Sequence, residues 1–296
     1  MKRHPLSGCG AAMITPFKAD MTIDWESLAR MIDYVIDGGT NYIVALGTTA
    51  ETPTLTNKEK NEVIAFFKQH VAGRVPIVVG QGGNNTRALV EELKEMDTDG
   101  IAAILSVTPY YNKPSQEGLY RHFEAVAQAS PLPVILYNVP GRTGVNMSAE
   151  TTCRLARDFE NIIAVKEASG KIDQIEQIIK NCPKEFLVLS GDDGMTVEVM
   201  RRGGDGVISV AINAFPKRFS HVVYLASQGL FDRAEEAYAP LHEAVCALFE
   251  QGNPVGVKAA LTLLGNIDNN LRLPLVPATE LLMKKLERLI REYELC

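Results

Sequence analysis

The chain has 296 residues, of which 46% are hydrophobic and 22% are charged, and its formal net charge at pH 7 is -6. These values are ordinary for a globular protein and argue against a long disordered region. The lysines and arginines cluster only as short pairs, which argues against a nucleic-acid-binding protein. No apolar run approaches the length of a membrane span, which argues against a membrane protein.

Short apolar runs alternate with longer segments of helical periodicity over the first three quarters of the chain. The runs are rich in Val, Ile, Ala and Leu and are apolar on both faces, which is typical of parallel strands covered by helices. They cover residues 8–16, 42–47, 75–80, 101–107, 134–138, 162–166, 186–190 and 206–210. The predicted helices cover residues 24–37, 57–72, 86–97, 115–129, 148–157, 171–181, 193–202 and 216–228.

Eight strands that alternate with eight helices predict an α/β fold, a (β/α)8 TIM barrel spanning residues 1–228. Residues 229–296 show only helical patterns, and we expect a C-terminal helical extension packed on the barrel. The alternative is an open doubly wound sheet, which usually has a glycine-rich nucleotide turn after its first strand. The segment Gly10-Ala11-Ala12-Met13 is not such a turn.

The cysteines predict reduced thiols. Their number is odd, their spacing is wide and none forms a C-x-x-C motif, which argues against a disulfide framework and a zinc cluster. They stand at positions 9, 153, 182, 246 and 296. The chain starts with Met1 and the basic pair Lys2-Arg3, but Pro5, Ser7 and Gly8 interrupt the apolar segment that a signal peptide would need. We therefore expect a cytoplasmic protein without a bound metal.

Unusual polar residues follow five of the predicted strands, where a barrel carries its active site. The most informative is Lys166, at the end of the sixth strand. Strand alternation puts Ile162, Ala164 and Lys166 on one face, and if that face lines the barrel, burial favours a neutral, nucleophilic amine. A strand-end lysine that reaches into solvent is the alternative.

Hydroxyl groups follow two other strands. Tyr137 ends the fifth strand, where its phenol could move protons beside an imine or simply pack at the barrel rim. Thr48 and Thr49 end the second strand, where they could relay a proton, hold a carboxylate or cap the loop. Tyr111 lies in a proline-flanked loop and could reach a neighbouring active site or a subunit interface.

Charged residues at the strand ends leave two interpretations open. Arg142 follows a Pro-Gly turn, and its planar guanidinium suits a carboxylate, although a solvated loop arginine has the same sequence context. Asp192 and Asp193 could suggest a metal site, but no histidine lies next to them in the sequence. Capping of the following helix explains both residues. The five histidines are isolated and are interpreted as non-catalytic.

Together these motifs resemble the dihydrodipicolinate synthase/N-acetylneuraminate lyase family. The resemblance extends from Gly10 to Pro274, and two motifs carry most of it. These are Tyr137-Asn-Val-Pro followed by Lys166-Glu167, and the Gly47-Thr48-Thr49 turn. The family implies a (β/α)8 barrel with a C-terminal helical part, assembled as a homotetramer of tight dimers.

The resemblance also implies a role for each site residue. Lys166 forms an imine with pyruvate, and Tyr137 donates and accepts protons in a relay with Thr48 and with Tyr111 from the partner subunit. Four further residues are implied in substrate binding: Thr49 holds the pyruvate carboxylate, Gly191 leaves space beside the imine, Ile208 provides a backbone contact, and Arg142 holds the carboxylate of L-aspartate 4-semialdehyde. No cofactor is implied beyond the covalent lysine–pyruvate imine.

The Arg-Thr-Gly sequence at 142–144 favours the synthases of this family, which act in diaminopimelate and lysine biosynthesis, over a sister aldolase for sialic acid or a keto-deoxy sugar acid. A non-catalytic keto-acid-binding barrel is a further alternative. Two departures stand out: Ala50 replaces a usual glycine, and Asn57, Lys60 and Ala88 replace residues typical of lysine-inhibited members. We therefore hypothesise weak or absent feedback by lysine.

Overall fold

The computed structural model describes residues 4–295, in which eight parallel strands form one closed barrel. Each strand pairs with its neighbours in the sequence, and the last strand pairs with the first. The strands are β1 (Gly8–Ala12), β2 (Tyr42–Ala45), β3 (Ile77–Gly80), β4 (Ala103–Val107), β5 (Val134–Asn138), β6 (Ile162–Glu167), β7 (Leu187–Ser190) and β8 (Gly206–Ser209). The predicted TIM barrel is confirmed.

Helices connect consecutive strands and continue after the barrel closes. They are α1 (Trp25–Asp37), α2 (Asn57–Val71), α3 (Thr86–Glu95), α4 (Gln116–Ala129), α5 (Pro140–Thr143), α6 (Ala149–Asp158), α7 (Ile172–Asn181), α8 (Thr196–Arg201), α9 (Pro216–Ser227), α10 (Phe231–Tyr238), α11 (His242–Phe249), α12 (Val255–Leu263) and α13 (Glu280–Glu292). The four-residue α5 was not predicted, and the helix predicted from residue 193 begins instead with a 3-10 turn at Asp193–Met195.

Local sequence explains why α2 begins where predicted. The Thr56 hydroxyl accepts a hydrogen bond from the Glu59 N–H, and the Glu59 carboxylate accepts one from the Thr56 N–H. This reciprocal capping satisfies two donors that the first helical turn leaves unpaired. Glu59 also binds Arg272, which anchors the segment that follows α12 to the start of α2.

The predicted face of β6 is wrong at one position. Ala164 lies in the apolar cluster inside the barrel, but Ile162 packs in the outer cluster between the strands and the helices. The register of β5 against β6 shifts between Val134 and Ile135, and such an irregularity changes which side a strand residue faces. The alternation holds from Ala164 onward.

Among the described residues, those after α9 form helices and loops without a strand. Buried side chains of this region, including Leu248 and Leu286, belong to the same apolar cluster as Phe215 and Phe219 from the end of the barrel. The helical part is therefore packed against the barrel through a shared core. No helix in the described part of the chain has the length and apolar character needed to cross a bilayer.

The described cysteines are free thiols: Cys9, Cys153, Cys182 and Cys246. The fold nevertheless brings two of them together, since the Cys182 sulfur lies 2.7 Å from the Cys153 sulfur. The wide sequence spacing gave no sign of this proximity. Cys296 and residues 1–3, which include the basic pair Lys2-Arg3, lie outside the described residues.

Candidate active site

A cavity of about 460 Å³ opens where the strands end at their carboxyl termini. Its wall combines residues from the strand ends with residues from the loop between α11 and α12. Predicted site residues in this wall are Thr48, Tyr137 and Arg142, and Tyr110, Thr143 and Asn253 also line it. The cavity is therefore formed jointly by the barrel and the helical extension.

Lys166 is buried, with only 5% of its surface exposed, at the end of β6. It is the register partner of Tyr137 on β5, and its Nζ lies 4.5 Å from the centre of the Tyr137 ring. A lysine amine in this position can act as a nucleophile toward a carbonyl carbon. The alternative of a lysine extending into solvent is wrong.

Gly191 leaves the space beside Lys166 open. A Cβ at this position would lie 3.2 Å from the Lys166 Cε and 2.7 Å from the Cβ of Ala168. The second distance is shorter than ordinary carbon contacts allow, so a larger residue would clash with Ala168 and crowd the neighbouring Lys166 side chain. The geometry is compatible with the role that the resemblance gives to this glycine.

Behind Lys166, Glu167 faces away from the cavity into a buried polar network. Its carboxylate accepts hydrogen bonds from the side chains of Asn138 and Gln174 and from the Ser169 N–H. Burial raises the pKa of Glu167, and these hydrogen bonds oppose that rise. The network fixes the strand end that carries Lys166.

Thr48 and Thr49 lie in a short 3-10 turn after β2. Thr48 lines the cavity, whereas Thr49 is 98% buried and its hydroxyl accepts a 2.9 Å hydrogen bond from the side-chain amide of Asn253. No hydrogen bond joins Thr48 to Tyr137 within residues 4–295 of this single chain. The proton relay therefore stays a prediction.

Arg142 lies in α5, the helix that was not predicted, and its guanidinium reaches the cavity wall. One of its nitrogens donates to the backbone carbonyl of Asn253 at 3.2 Å. The remaining N–H groups of the fork are available for a carboxylate. Arg142 is thus held at the mouth of the cavity.

Five predicted site residues are not among those that line the cavity: Lys166, Thr49 and Gly191, described above, and Tyr111 and Ile208. Tyr111 is 85% exposed and has a φ of 75°, an uncommon value for a tyrosine. Ile208 is 99% buried on β8, within the apolar cluster that also contains Tyr137 and Ala164. Neither position tests the role that the resemblance implies.

The adjacent residues Asp192 and Asp193 accept hydrogen bonds from different parts of the chain. Asp192 caps the following turn as predicted, since its side chain accepts from the Gly194 N–H. Asp193 does not, because it is buried and accepts from the N–H groups of Val210 and Ala211 after β8. Burial raises the pKa of Asp193 to about 6. In residues 4–295 no cluster of His, Cys, Asp and Glu is arranged to hold a metal.

The sequence interpretation missed Asn253. This residue precedes Pro254, and an Asn-Pro dipeptide signals a turn without saying what the turn approaches. Its side-chain partner, Thr49, is 204 positions away in the sequence. Only the packing of the helical extension brings the two together.

Comparison with known proteins gives a consistent result. The family model described as the dihydrodipicolinate synthetase family matches residues 5–293. A 4-hydroxy-tetrahydrodipicolinate synthase from Parabacteroides distasonis is 55% identical over 97% of both chains. The crystal structure of dihydrodipicolinate synthase from Thermotoga maritima is 40% identical, with a TM-score of 0.96, and covers 99% of this chain and 100% of its own.

A third relative was solved with a ligand. The chloride-inhibited dihydrodipicolinate synthase from Acinetobacter baumannii, complexed with pyruvate, is 40% identical with a TM-score of 0.95. The match covers 98% of this chain and 100% of that one.

Proposed function

Because this chain belongs to the dihydrodipicolinate synthetase family, we propose that Lys166 forms an imine with pyruvate as the first step of its reaction. The chain is a lyase-type enzyme, and its activity is the synthesis of 4-hydroxy-tetrahydrodipicolinate in the diaminopimelate and lysine pathway. The substrates are pyruvate and L-aspartate 4-semialdehyde. The buried position of the Lys166 amine next to Tyr137 carries the proposal.

The first step uses the nucleophilic amine. Lys166 Nζ attacks the ketone carbon of pyruvate, a carbon–nitrogen bond forms, and the ketone oxygen leaves as water. The pyruvate carboxylate lies against Thr49, and the open space at Gly191 accommodates the imine. A backbone contact from Ile208 completes this subsite.

Proton transfer follows. Tyr137 lies beside the imine and removes a proton from the pyruvate methyl group to give an enamine, with Thr48 and the partner subunit's Tyr111 passing the proton onward. The protonated imine acts as the electron sink. The proposed chemistry therefore uses no cofactor beyond the covalent lysine–pyruvate imine and no metal.

Arg142 selects the second substrate. Its guanidinium binds the carboxylate of L-aspartate 4-semialdehyde, and the enamine carbon attacks the aldehyde to form the new carbon–carbon bond. The substrate amine then attacks the imine carbon, and Lys166 leaves as the ring closes. The turnover returns the free amine to β6.

Assembly and location are also part of the proposal. We infer at least a homodimer, because Tyr111 is highly exposed in one chain and its proposed catalytic role requires a partner subunit. The homotetramer of tight dimers is the assembly that the family resemblance implies. We also place the enzyme in the cytoplasm. The free thiols of Cys9, Cys153, Cys182 and Cys246 support this placement.

The test is borohydride trapping with pyruvate, followed by peptide mass spectrometry. The wild type should gain a reduced pyruvate adduct on Lys166, whereas Lys166→Ala should gain none. The matched control, Lys171→Ala, changes an exposed lysine five positions away and should trap like the wild type. An adduct at full yield in Lys166→Ala would refute the assignment.

Turnover with L-aspartate 4-semialdehyde is compared with turnover on a panel of sugar aldehydes. Consumption of pyruvate only with the semialdehyde is the expected result. Turnover only with a sugar aldehyde would indicate a sister lyase, and trapping without any turnover would indicate a non-catalytic keto-acid-binding barrel.

A further inference from the structure

The loop between α11 and α12 places one side chain against the substrate pocket from outside the barrel. Asn253 is 93% buried and lines the cavity. Its side-chain amide donates to the Thr49 hydroxyl at 2.9 Å, and its backbone carbonyl accepts from Arg142 at 3.2 Å. Asn253 therefore contacts both Thr49 and Arg142, the two residues that are proposed to bind the carboxylates of the two substrates.

The direction of the hydrogen bond to Thr49 matters chemically. A threonine hydroxyl has one proton to donate and can accept through its oxygen. Because the Thr49 oxygen accepts from the Asn253 amide, its proton is not used in that contact and points elsewhere. Thr49 is then left with a proton to donate, which is what an anionic carboxylate requires.

We propose that Asn253 is a positioning residue that fixes Thr49 as the hydrogen-bond donor to the pyruvate carboxylate. The inference rests on the proposed function, since pyruvate must bind in this cavity for Thr49 to meet it. Asn253 acts through Thr49 and does not take part in proton transfer. A residue of the helical extension thus sets the affinity of the barrel for its first substrate.

A second connection holds Asn253 in place. Five residues further on, Lys258 in α12 forms a fully buried ion pair with Glu51, which lies two residues after Thr49. The turn with Thr49 and the segment with Asn253 are therefore joined at two points. A substitution at position 253 should therefore disturb the packing of the two segments little, because the ion pair still joins them. Its effect on pyruvate binding then reports mainly on the lost hydrogen bond.

Asn253→Asp is the sharpest test because it keeps the shape and reverses the hydrogen bond. An ionised carboxylate can only accept hydrogen bonds, so it would accept one from the Thr49 hydroxyl and leave that hydroxyl no proton for pyruvate. It would also add a negative charge near the pyruvate carboxylate. The pyruvate concentration for half-maximal borohydride trapping should rise about ten- to a hundred-fold. Asn181→Asp, an exposed site at the end of α7, is the matched control and should not change it.

The pH dependence separates positioning from general damage. Below the pKa of the introduced carboxyl, the protonated acid can donate again as the amide does. Because this site is buried, the pKa of the introduced carboxyl should lie above its ordinary value of about 3.9, and the defect of Asn253→Asp relative to the wild type should shrink as the pH falls from about 8 toward that pKa. The KM for the semialdehyde should change less than the value for pyruvate, because the carbonyl that holds Arg142 is part of the backbone.

Asn253→Ala provides the second measurement, and it decides the question if Asn253→Asp does not fold. It removes the donor without adding charge, and the half-saturating pyruvate concentration should rise about three- to ten-fold. Unchanged pyruvate saturation in a folded variant would overturn the inference, as would an equal, pH-independent loss for both substrates. Failure of the wild type to trap pyruvate at all would instead contradict the proposed function.

Discussion

Lys258 and Glu51 form an ion pair in which neither side chain has any exposed surface. The second Glu51 oxygen accepts from the Arg272 N–H, and Lys258 also donates to the Asn270 carbonyl and lies over the Phe17 ring. Burial lowers the pKa of Lys258 to about 8, and the attraction to Glu51 opposes that change. The pair ties the helical extension to the turn that carries Thr48 and Thr49.

Removing one partner of this pair should destabilise the protein strongly. Lys258→Met leaves the Glu51 carboxylate buried without its cation, and we expect a loss of about 3–5 kcal/mol in the free energy of unfolding, measured with denaturant. The double variant Glu51→Gln/Lys258→Met should recover part of that loss, because it leaves no isolated charge. If the single and double variants were equally unstable, the charge would not be the cause.

Tyr137→Phe should slow the chemistry while preserving the fold. The ring that lies over Lys166 remains, but the hydroxyl that moves the proton is gone, so kcat should fall about 10²- to 10⁴-fold. Stopped-flow and steady-state assays with both substrates measure this change. A kcat within a few-fold of the wild-type value would show that another group moves the proton.

Arg142→Ala should affect the second substrate alone. Loss of the guanidinium removes a charge-assisted contact, and kcat/KM for the semialdehyde should fall about ten- to a hundred-fold. Pyruvate trapping by borohydride should keep its wild-type concentration dependence. Arg87→Ala, which removes an exposed arginine from α3, serves as the control and should leave both measurements unchanged.

Acid should weaken the contact between Arg272 and Glu59. The hydrogen bond from Arg272 is the main reason that the pKa of Glu59 is lowered to about 2 from its ordinary 4.5. Because the folded-state pKa is the lower one, this stabilisation is complete above about pH 4.5 and is lost as the pH falls toward 2. Glu59→Gln should cost about 1–2 kcal/mol at pH 7 and less at pH 3.

Denaturant curves at the two pH values measure that difference. Glu62→Gln on the same helix is the control, since its contact with Lys58 is exposed and should be worth little at either pH. A pH-independent cost of Glu59→Gln would point to the capping hydrogen bond with Thr56 as its cause.

L-Lysine should inhibit this enzyme weakly. Lys60 lines the cavity and also a neighbouring one of about 790 Å³, which Asn57 borders as well. A fixed cation in this wall repels the positive charges of a lysine ligand. A titration of initial rates with L-lysine measures the effect, and strong inhibition at low concentration would contradict the hypothesis.

The sequence predicted best what depends on local pattern. Apolar runs located every strand of the barrel, and the Thr56 capping box marked the start of α2. The register shift between β5 and β6 moved Ile162 to the outer cluster, because it depends on how two strands pair. No single-strand pattern contains that information.

Within the site, residues at strand ends were predictable and those from distant segments were not. Lys166 and Tyr137 end adjacent strands, so barrel geometry alone brings them together. Asn253 reaches Thr49 only through the packing of helices more than two hundred positions away. That packing depends on an apolar core shared by the barrel and the helical extension, and the short sequence motifs do not predict which segments share it.

The shared wall of the cavity has a consequence for dissecting the enzyme. A fragment that ends with α9 would contain all eight strands, Lys166 and Tyr137, yet it would lack Asn253 and the cation for Glu51. Such a fragment would expose the buried Glu51 carboxylate and leave the Thr49 hydroxyl unoriented. The smallest catalytic unit is therefore larger than the barrel, and an exchange of barrels between relatives would have to carry the helical extension with it.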